Sequence, residues 1–146
     1  MNASHSGVFS HSTDEWETPQ DFYDRLDAEF RFTLDPCATE TTHKCARWYG
    51  AADDGLSKDW GGEHVFCNPP YSQAAAWARK CFEESRKPGT VVVLLIPSRT
   101  DTRYFHSYIY NRSELRFVKG RLRFSKKLPA PFPSMVAVFR GPDPDD

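Results

Sequence analysis

Eight consecutive residues, Thr90-Val91-Val92-Val93-Leu94-Leu95-Ile96-Pro97, constrain this chain more than any other stretch. An apolar run without alternation has two buried faces, so it belongs inside a sheet covered by helices, the situation of a parallel strand. Pro97 cannot donate to a ladder and marks the strand's end. Upstream, His64–Cys67 reads as a second strand. It leads into a helix capped by Ser72, with Ala74, Trp77, Ala78, Cys81 and Phe82 on its inner face. Nearer the N-terminus, Thr18 as N-cap and Pro19 in the first turn open a helix carrying Phe22, Tyr23, Leu26 and Phe30 on one side. Phe32-Thr33-Leu34 then reads as a short strand ending at Asp35-Pro36. Residues 39–63 follow no period, although Trp48, Tyr49 and Leu56 look buried. Further on, residues 101–111 read as a helix, "ELRFVKG" and "RLRFS" as alternating strands, and Met135–Phe139 as a last strand. The expectation is an α/β three-layer sandwich with a mostly parallel sheet and an antiparallel edge. Residues 14–140 make one domain, with a flexible arm at 1–13 and an acidic tail at 141–146.

The chain has 146 residues, enough for one core, and its 39% hydrophobic and 14% aromatic content suits a folding sequence rather than a disordered one. Its apolar runs fall short of the roughly 20 residues that span a bilayer, and the N-terminus lacks the basic and apolar pattern of a signal peptide. The four cysteines, Cys37, Cys45, Cys67 and Cys81, form no CxxC pair and read as reduced thiols of a cytosolic protein. Together with His43 they match no common tetrahedral zinc spacing, so no metal is expected. Net charge is −1, but its distribution is uneven: residues 14–40 hold nine acidic side chains, and residues 112–127 hold seven Lys or Arg against Glu114 alone. That asymmetry suits either a phosphate-binding surface or an ordinary solvated face.

Asn68-Pro69-Pro70-Tyr71 stands where a strand gives way to a helix. A residue before proline is driven out of the helical region, so Asn68 is held extended past the strand end. The two prolines lack N–H groups and fix φ, which makes a stiff corner. It presents two acceptors, the Asn68 side-chain oxygen and the Pro69 carbonyl, beside the ring of Tyr71. Such a corner suits a planar, conjugated NH2 group. Accepting both amine hydrogens makes the nitrogen more electron-rich, so that it can attack an electrophilic methyl without a strong general base. A plain tight turn is the alternative.

The ordered segments "WETP", "FTLDPCA", "DGLSKDW", "VFCNPPYS", "VVVLLIPSRTDTRYF", "GRLRF" and "PAPFPS" resemble the small phage and prophage DNA adenine-N6 methyltransferases of the Dam type over about residues 14–140. The resemblance implies a Rossmann-like, S-adenosylmethionine-dependent methyltransferase fold and methylation of the exocyclic amine of adenine in double-stranded DNA, the base being flipped out. It also implies a phage or prophage protein working in a bacterial cytoplasm. Asn68, Pro69, Pro70 and Tyr71 match the catalytic loop. Asp35, Pro36, Cys37 and Ala38 match the turn at the cofactor's methionine end, and Trp16, Thr18 and Pro19 match a segment closing over the cofactor. Asp54 and Leu56 are assigned to the cofactor's adenine ring, although an acidic residue could equally hold its ribose hydroxyls. One departure stands out: "LDPCAT" has none of the glycines found in the F-x-G-x-G turn of many methyltransferases, so its backbone approaches a ligand less freely.

In "RFVKGRLRFSKK", alternation would turn Phe117, Leu122 and Phe124 to the core and Lys119, Arg121, Arg123 and Lys126 outward, along phosphates or simply into solvent. Arg99 follows a strand end and could meet the DNA backbone or begin a helix. Phe132 is either a second aromatic plate opposite Tyr71 or a hydrophobic plug. Two other readings of the chain stay open: methylation of an RNA base or a protein glutamine amide, and a nucleic-acid-binding module without catalysis. Protein glutamine enzymes of this kind carry an added N-terminal helical domain, for which residues 1–13 are too few.

Overall fold

The structure is a computed structural model and describes residues 16–124 and 128–145. The expected arm at 1–13 and Lys126 lie outside the described residues. Helix α1 spans Gln20–Phe30 and buries Tyr23, Leu26 and Phe30, while Phe22 is only half-buried. It ends where Arg31 takes a left-handed conformation and its N–H bonds the Asp27 carbonyl at 2.8 Å. Strand β1, His64–Cys67, is followed by a 3₁₀ turn at Tyr71–Gln73 and helix α2 at Ala74–Ser85. Strand β2 spans Val91–Pro97 and is buried from Val92 onward, as its uniform apolarity requires. A short π-helical turn at Phe105–Ile109 stands where a longer helix was expected, and then come β3, Glu114–Phe117, and β4, Ser134–Arg140.

The strand order is β1-β2-β4-β3. β1 pairs with β2 in parallel, while β4 pairs antiparallel with both β2 and β3. Three strands therefore point one way, and the single reversed strand, β4, lies inside the sheet; the edge pair β4–β3 is antiparallel as expected, while β1–β2 alone among the described strands pair in parallel. Side-chain chemistry explains the placement. β4 carries Met135, Val136, Ala137, Val138 and Phe139, all at most 2% exposed, and needs cover on both faces. β3, with Glu114 and Arg116, tolerates a wet edge.

Residues 32–34 make no strand ladder. Leu34 bridges Val65 and Asp35 bridges Trp48, both in parallel, so this segment threads between β1 and the 47–49 stretch. Among the described residues of the next stretch, 121–124, there is likewise no strand: Arg123 bridges Pro129, and Ala130 N–H bonds the Leu122 carbonyl at 2.9 Å. Leu122 is half-buried and Phe124 buried as expected. Phe117, however, is 65% exposed, although it shares a strand face with the half-buried Leu115 that packs on the core.

The sheet is covered on both sides. On one face α2 and the π turn bring Trp77, Ala78, Cys81, Phe105 and Ile109 onto Cys67, Leu94, Ile96 and Ala137. On the other, α1 brings Tyr23, Leu26 and Phe30 toward Phe66, Val93, Leu95 and Val138, and Phe124 and Phe132 close the same layer. β1, β2 and β3 all end, and β4 begins, on one side of the molecule. Side chains that follow the strand ends therefore converge there.

Candidate active site

Ligands of open α/β sheets bind outside the carboxyl ends of the strands. At that end lies a cavity of about 590 Å³. Asp35, Pro36, Cys37 and Ala38 line it from the turn beyond Leu34, and Trp16 and Thr18 line it from the N-terminal segment. Asn68 and Pro70 reach it from the loop after β1, and Asp54 and Leu56 from the 3₁₀ region beyond residue 50. Segments far apart in sequence thus meet at one site. Pro19 is not in the wall; it caps α1 through its backbone, and no side chain caps that helix. Thr18, expected as the cap, is engaged elsewhere. α2 likewise begins at Ala74 without a side-chain cap, because the 3₁₀ turn carries the chain past Ser72.

Asp35 is 5% exposed. Burial pushes its carboxyl up to about 6, against the opposing pull of the backbone N–H groups of Lys44 and Cys37 and of the nearby His43 and Lys44 charges. Desolvation wins because two amide donors do not replace a full hydration shell. Lys44 N–H bonds Asp35 Oδ2 at 3.0 Å, and the Lys44 side chain reaches Gln20 Oε1 at 3.0 Å.

The Asn68 side chain is held from three directions. Its Nδ2 donates to the Trp16 carbonyl and, at 2.9 Å, to Thr18 Oγ1. Its Oδ1 accepts from the Tyr71 hydroxyl at 2.8 Å. Burial pushes the Tyr71 phenol far up, so it remains a donor at any physiological pH. Pro69 is buried, and the Pro70 carbonyl accepts the Gln73 N–H at 3.0 Å within the 3₁₀ turn. Cys37 lies beneath the loop, 3.7 Å from Cys67 sulfur to sulfur, and receives the Asn68 backbone N–H. Burial raises both thiols, and all four cysteines are free. Among the described residues no cluster of His, Cys, Asp and Glu is arranged to hold a metal.

The Tyr71 ring does not stack parallel to Phe132: their centroids are 5.5 Å apart and their planes cross at 86°. A base held between two parallel rings needs about 7 Å, twice the van der Waals contact. As placed, Phe132 is a plug, 7% exposed, meeting Trp16 edge-on at 5.3 Å and Phe124 at 6.1 Å.

Arg99, Lys119, Arg121 and Arg123 lie outside the cavity and are exposed. Arg99 follows the end of β2, and the other three follow the end of β3, with Arg121 donating to the Ala130 carbonyl at 3.2 Å. Sequence reasoning missed Lys44, Gly55, Gln73 and Trp77 in the cavity wall. The periodicity of α2 marks Trp77 as a core residue, which it also is. Gly55 bears on the glycine-free turn at 34–39. A Cβ on it would lie 2.0 Å from the Pro36 carbonyl, so only a glycine lets the 55–57 turn pack against that segment.

A cavity at the carboxyl ends of the parallel strands, walled by the buried Asp35 carboxylate and the loop after β1, defines an α/β domain with an open pocket where such sheets hold their ligands. The sequence profile of the DNA N-6-adenine-methyltransferase (Dam) family matches residues 5–135, and the chain belongs to that family. It is 28% identical over 111 residues to the DNA N-6-adenine-methyltransferase of Escherichia phage T1, which covers 75% of this chain and 46% of that protein. It is 27% identical over 107 residues to the protein of the same name from Haemophilus phage HP1 (strain HP1c1), covering 72% of this chain and 62% of the relative. The chain therefore spans about half the length of the first relative and under two thirds of the second. No helix among the described residues is long and apolar enough to cross a membrane.

Proposed function

We propose that this chain is a Rossmann-like, S-adenosylmethionine-dependent methyltransferase acting on the N6 amine of adenine in double-stranded DNA. Family membership supports the reaction class. The observation that carries the site is the Asn68 amide in the wall of a cavity of about 590 Å³, within the 300–1,000 Å³ of small-ligand sites, with its Nδ2 committed to Trp16 and Thr18 so that its oxygen is the acceptor now taken by the Tyr71 hydroxyl. The wall fits the cofactor: Asp35 offers a buried carboxylate to a cationic group, and Leu56 and Trp77 offer apolar surface.

S-adenosylmethionine supplies, when bound, an electrophilic methyl on a sulfonium centre. The chain's own residues do the rest. The target adenine leaves the duplex and its amine displaces the Tyr71 hydroxyl from Asn68 Oδ1. Asn68 Oδ1 and the Pro69 carbonyl would then accept the two amine hydrogens, which localises the nitrogen lone pair toward the methyl. As the N–C bond forms, the methyl's bond to sulfur breaks to leave a neutral thioether, and one amine proton is released to water. Cys37, half-buried in the cavity wall, and the fully buried Cys67 do not compete as nucleophiles, since desolvation keeps both thiols protonated. Tyr71 packs against the base from the loop side. Arg99, Lys119, Arg121 and Arg123 meet the phosphates, as Lys126 does in the same basic segment. Both similar proteins come from phages, which supports action in the cytoplasm of a bacterial host.

The test is methyl transfer from labelled S-adenosylmethionine to unmethylated double-stranded DNA, with the product identified after nucleoside digestion. The parent should give N6-methyladenine, and Asn68→Ala should lose at least about a hundredfold in kcat, the scale of one lost oriented hydrogen-bonding group. Cofactor binding without transfer to DNA would overturn the substrate assignment, and absence of cofactor binding would overturn the enzyme.

A further inference from the structure

An asparagine amide has two ends of nearly the same shape, an acceptor oxygen and a donor NH2. Only one orientation of Asn68 can receive an amine, because the flipped one would set NH2 against NH2. What fixes that choice is the short segment before α1. The Trp16 carbonyl can only accept, and it takes one hydrogen of Asn68 Nδ2; Thr18 Oγ1 takes the other at 2.9 Å. With both hydrogens committed, Oδ1 is turned to the side where the Tyr71 hydroxyl now sits.

The segment is itself anchored at both ends. The Trp16 ring meets Phe124 at 5.5 Å and Phe132 at 5.3 Å, both edge-on. Thr18 is 4% exposed and immediately precedes Pro19, whose carbonyl accepts the Tyr23 N–H at 3.0 Å and starts α1. Tyr23, Leu26 and Phe30 then bind α1 to the sheet. A rigid connection runs from the helix core to the amide.

We propose that Thr18, acting with the Trp16 carbonyl, is a positioning residue that sets the Asn68 amide with its oxygen toward the substrate. It acts through Asn68 rather than by holding the cofactor, although it lines the same cavity. The inference rests on the methyltransferase reading for its kinetic consequence, while the amide geometry can be read without catalysis.

Two variants separate the hydroxyl from the shape: Thr18→Val removes it at nearly constant volume, and Thr18→Ser keeps it. Thr18→Val should lower kcat about tenfold or more, with the Kd for S-adenosylmethionine and the KM for DNA within about twofold of the parent. Thr18→Ser should recover most of the rate. In ¹⁵N-labelled protein the Asn68 side-chain amide pair, assigned by its loss in Asn68→Asp, should shift and exchange faster with water in Thr18→Val but not in Thr18→Ser. A parent-like rate in Thr18→Val would overturn the proposal. So would a loss of cofactor affinity that matches the loss of rate, or an equal defect in Thr18→Ser. If the parent transfers no methyl to DNA, the functional reading fails separately; the amide resonances then decide, and an unchanged Asn68 pair in Thr18→Val overturns the positioning role.

Discussion

At the scale of single residues, Asp35 is where burial and charge most directly oppose each other. Its carboxyl is pushed from the ordinary 3.8 up to about 6, so the folded chain holds that proton more tightly than the unfolded chain does. The stability it contributes is fully present below about pH 4 and is lost as pH rises through about 6. Asp35→Asn should flatten that part of the stability profile, as followed by thermal melts from pH 4 to 8. Cofactor binding should run the opposite way, because a cation in the cavity prefers the ionised carboxylate. Affinity for S-adenosylmethionine should rise roughly fivefold from pH 5 to 6 and about a further twofold by pH 7, levelling off above that, and Asp35→Asn should remove the slope. Calorimetric titration across this range checks both the sign and the window. Asn68 shows the other side of residue-scale reading. The proline pair after it marks a stiff corner in the sequence, but the acceptors that take its two Nδ2 hydrogens come from residues 50 and 52 positions earlier.

Among the elements, α2 is fastened more firmly than its apolar face requires. Glu84 near its end is 7% exposed and accepts the Trp60 N–H at 2.6 Å and Lys87 Nζ at 2.7 Å, with Lys80 Nζ at 3.4 Å. Trp60 is fully buried, donates its ring N–H to the Gly55 carbonyl at 3.1 Å and stacks on Trp77 at 6.3 Å. Glu84 therefore ties the helix to the 55–60 segment whose start lines the cavity. Glu84→Ala leaves the buried Trp60 N–H without its acceptor and takes the buried counter-charge from Lys80 and Lys87, which keep as hydrogen-bond acceptors the Lys58 carbonyl and Asp59. The variant should lose about 3 kcal/mol in denaturant unfolding, whereas Arg79→Ala, which breaks an exposed i,i+4 pair with Glu83, should stay within about 0.5 kcal/mol. The apolar periodicity of α2 makes the helix legible in sequence. An acidic residue on its inner side finds its meaning only when Trp60 arrives from 24 positions away.

Over the whole molecule, a net charge of −1 conceals a polar arrangement. Lys119, Arg121 and Arg123 extend from the end of the sheet where the cavity opens, while Arg116 is drawn back by Glu29 through two bonds of 2.7 Å. Cations that neutralise phosphates release counterions, so binding to duplex DNA should weaken steeply with salt. Lys119→Ala should reduce the log–log salt slope by about 0.9, the value for one phosphate contact, whereas Arg116→Ala should leave the slope nearly unchanged. Fluorescence anisotropy between 50 and 200 mM salt tells the two apart.

The apolar run at 91–97 and the proline pair after Asn68 act locally, through burial on two faces and through fixed φ, and such effects are written in consecutive residues. For that reason the central strand, the strand–loop–helix unit at 64–85 and the resemblance to adenine-N6 methyltransferases could be read from sequence alone. The interior position of β4 could not, since it depends on which strand best endures a wet edge. Nor could the Thr18–Asn68 bond, the meeting of Gly55 with Pro36, or the edge-on setting of Phe132 against Tyr71. Each joins segments whose separation along the chain carries no period. Only the closure of the core, which minimises exposed apolar surface across the whole chain at once, brings them together.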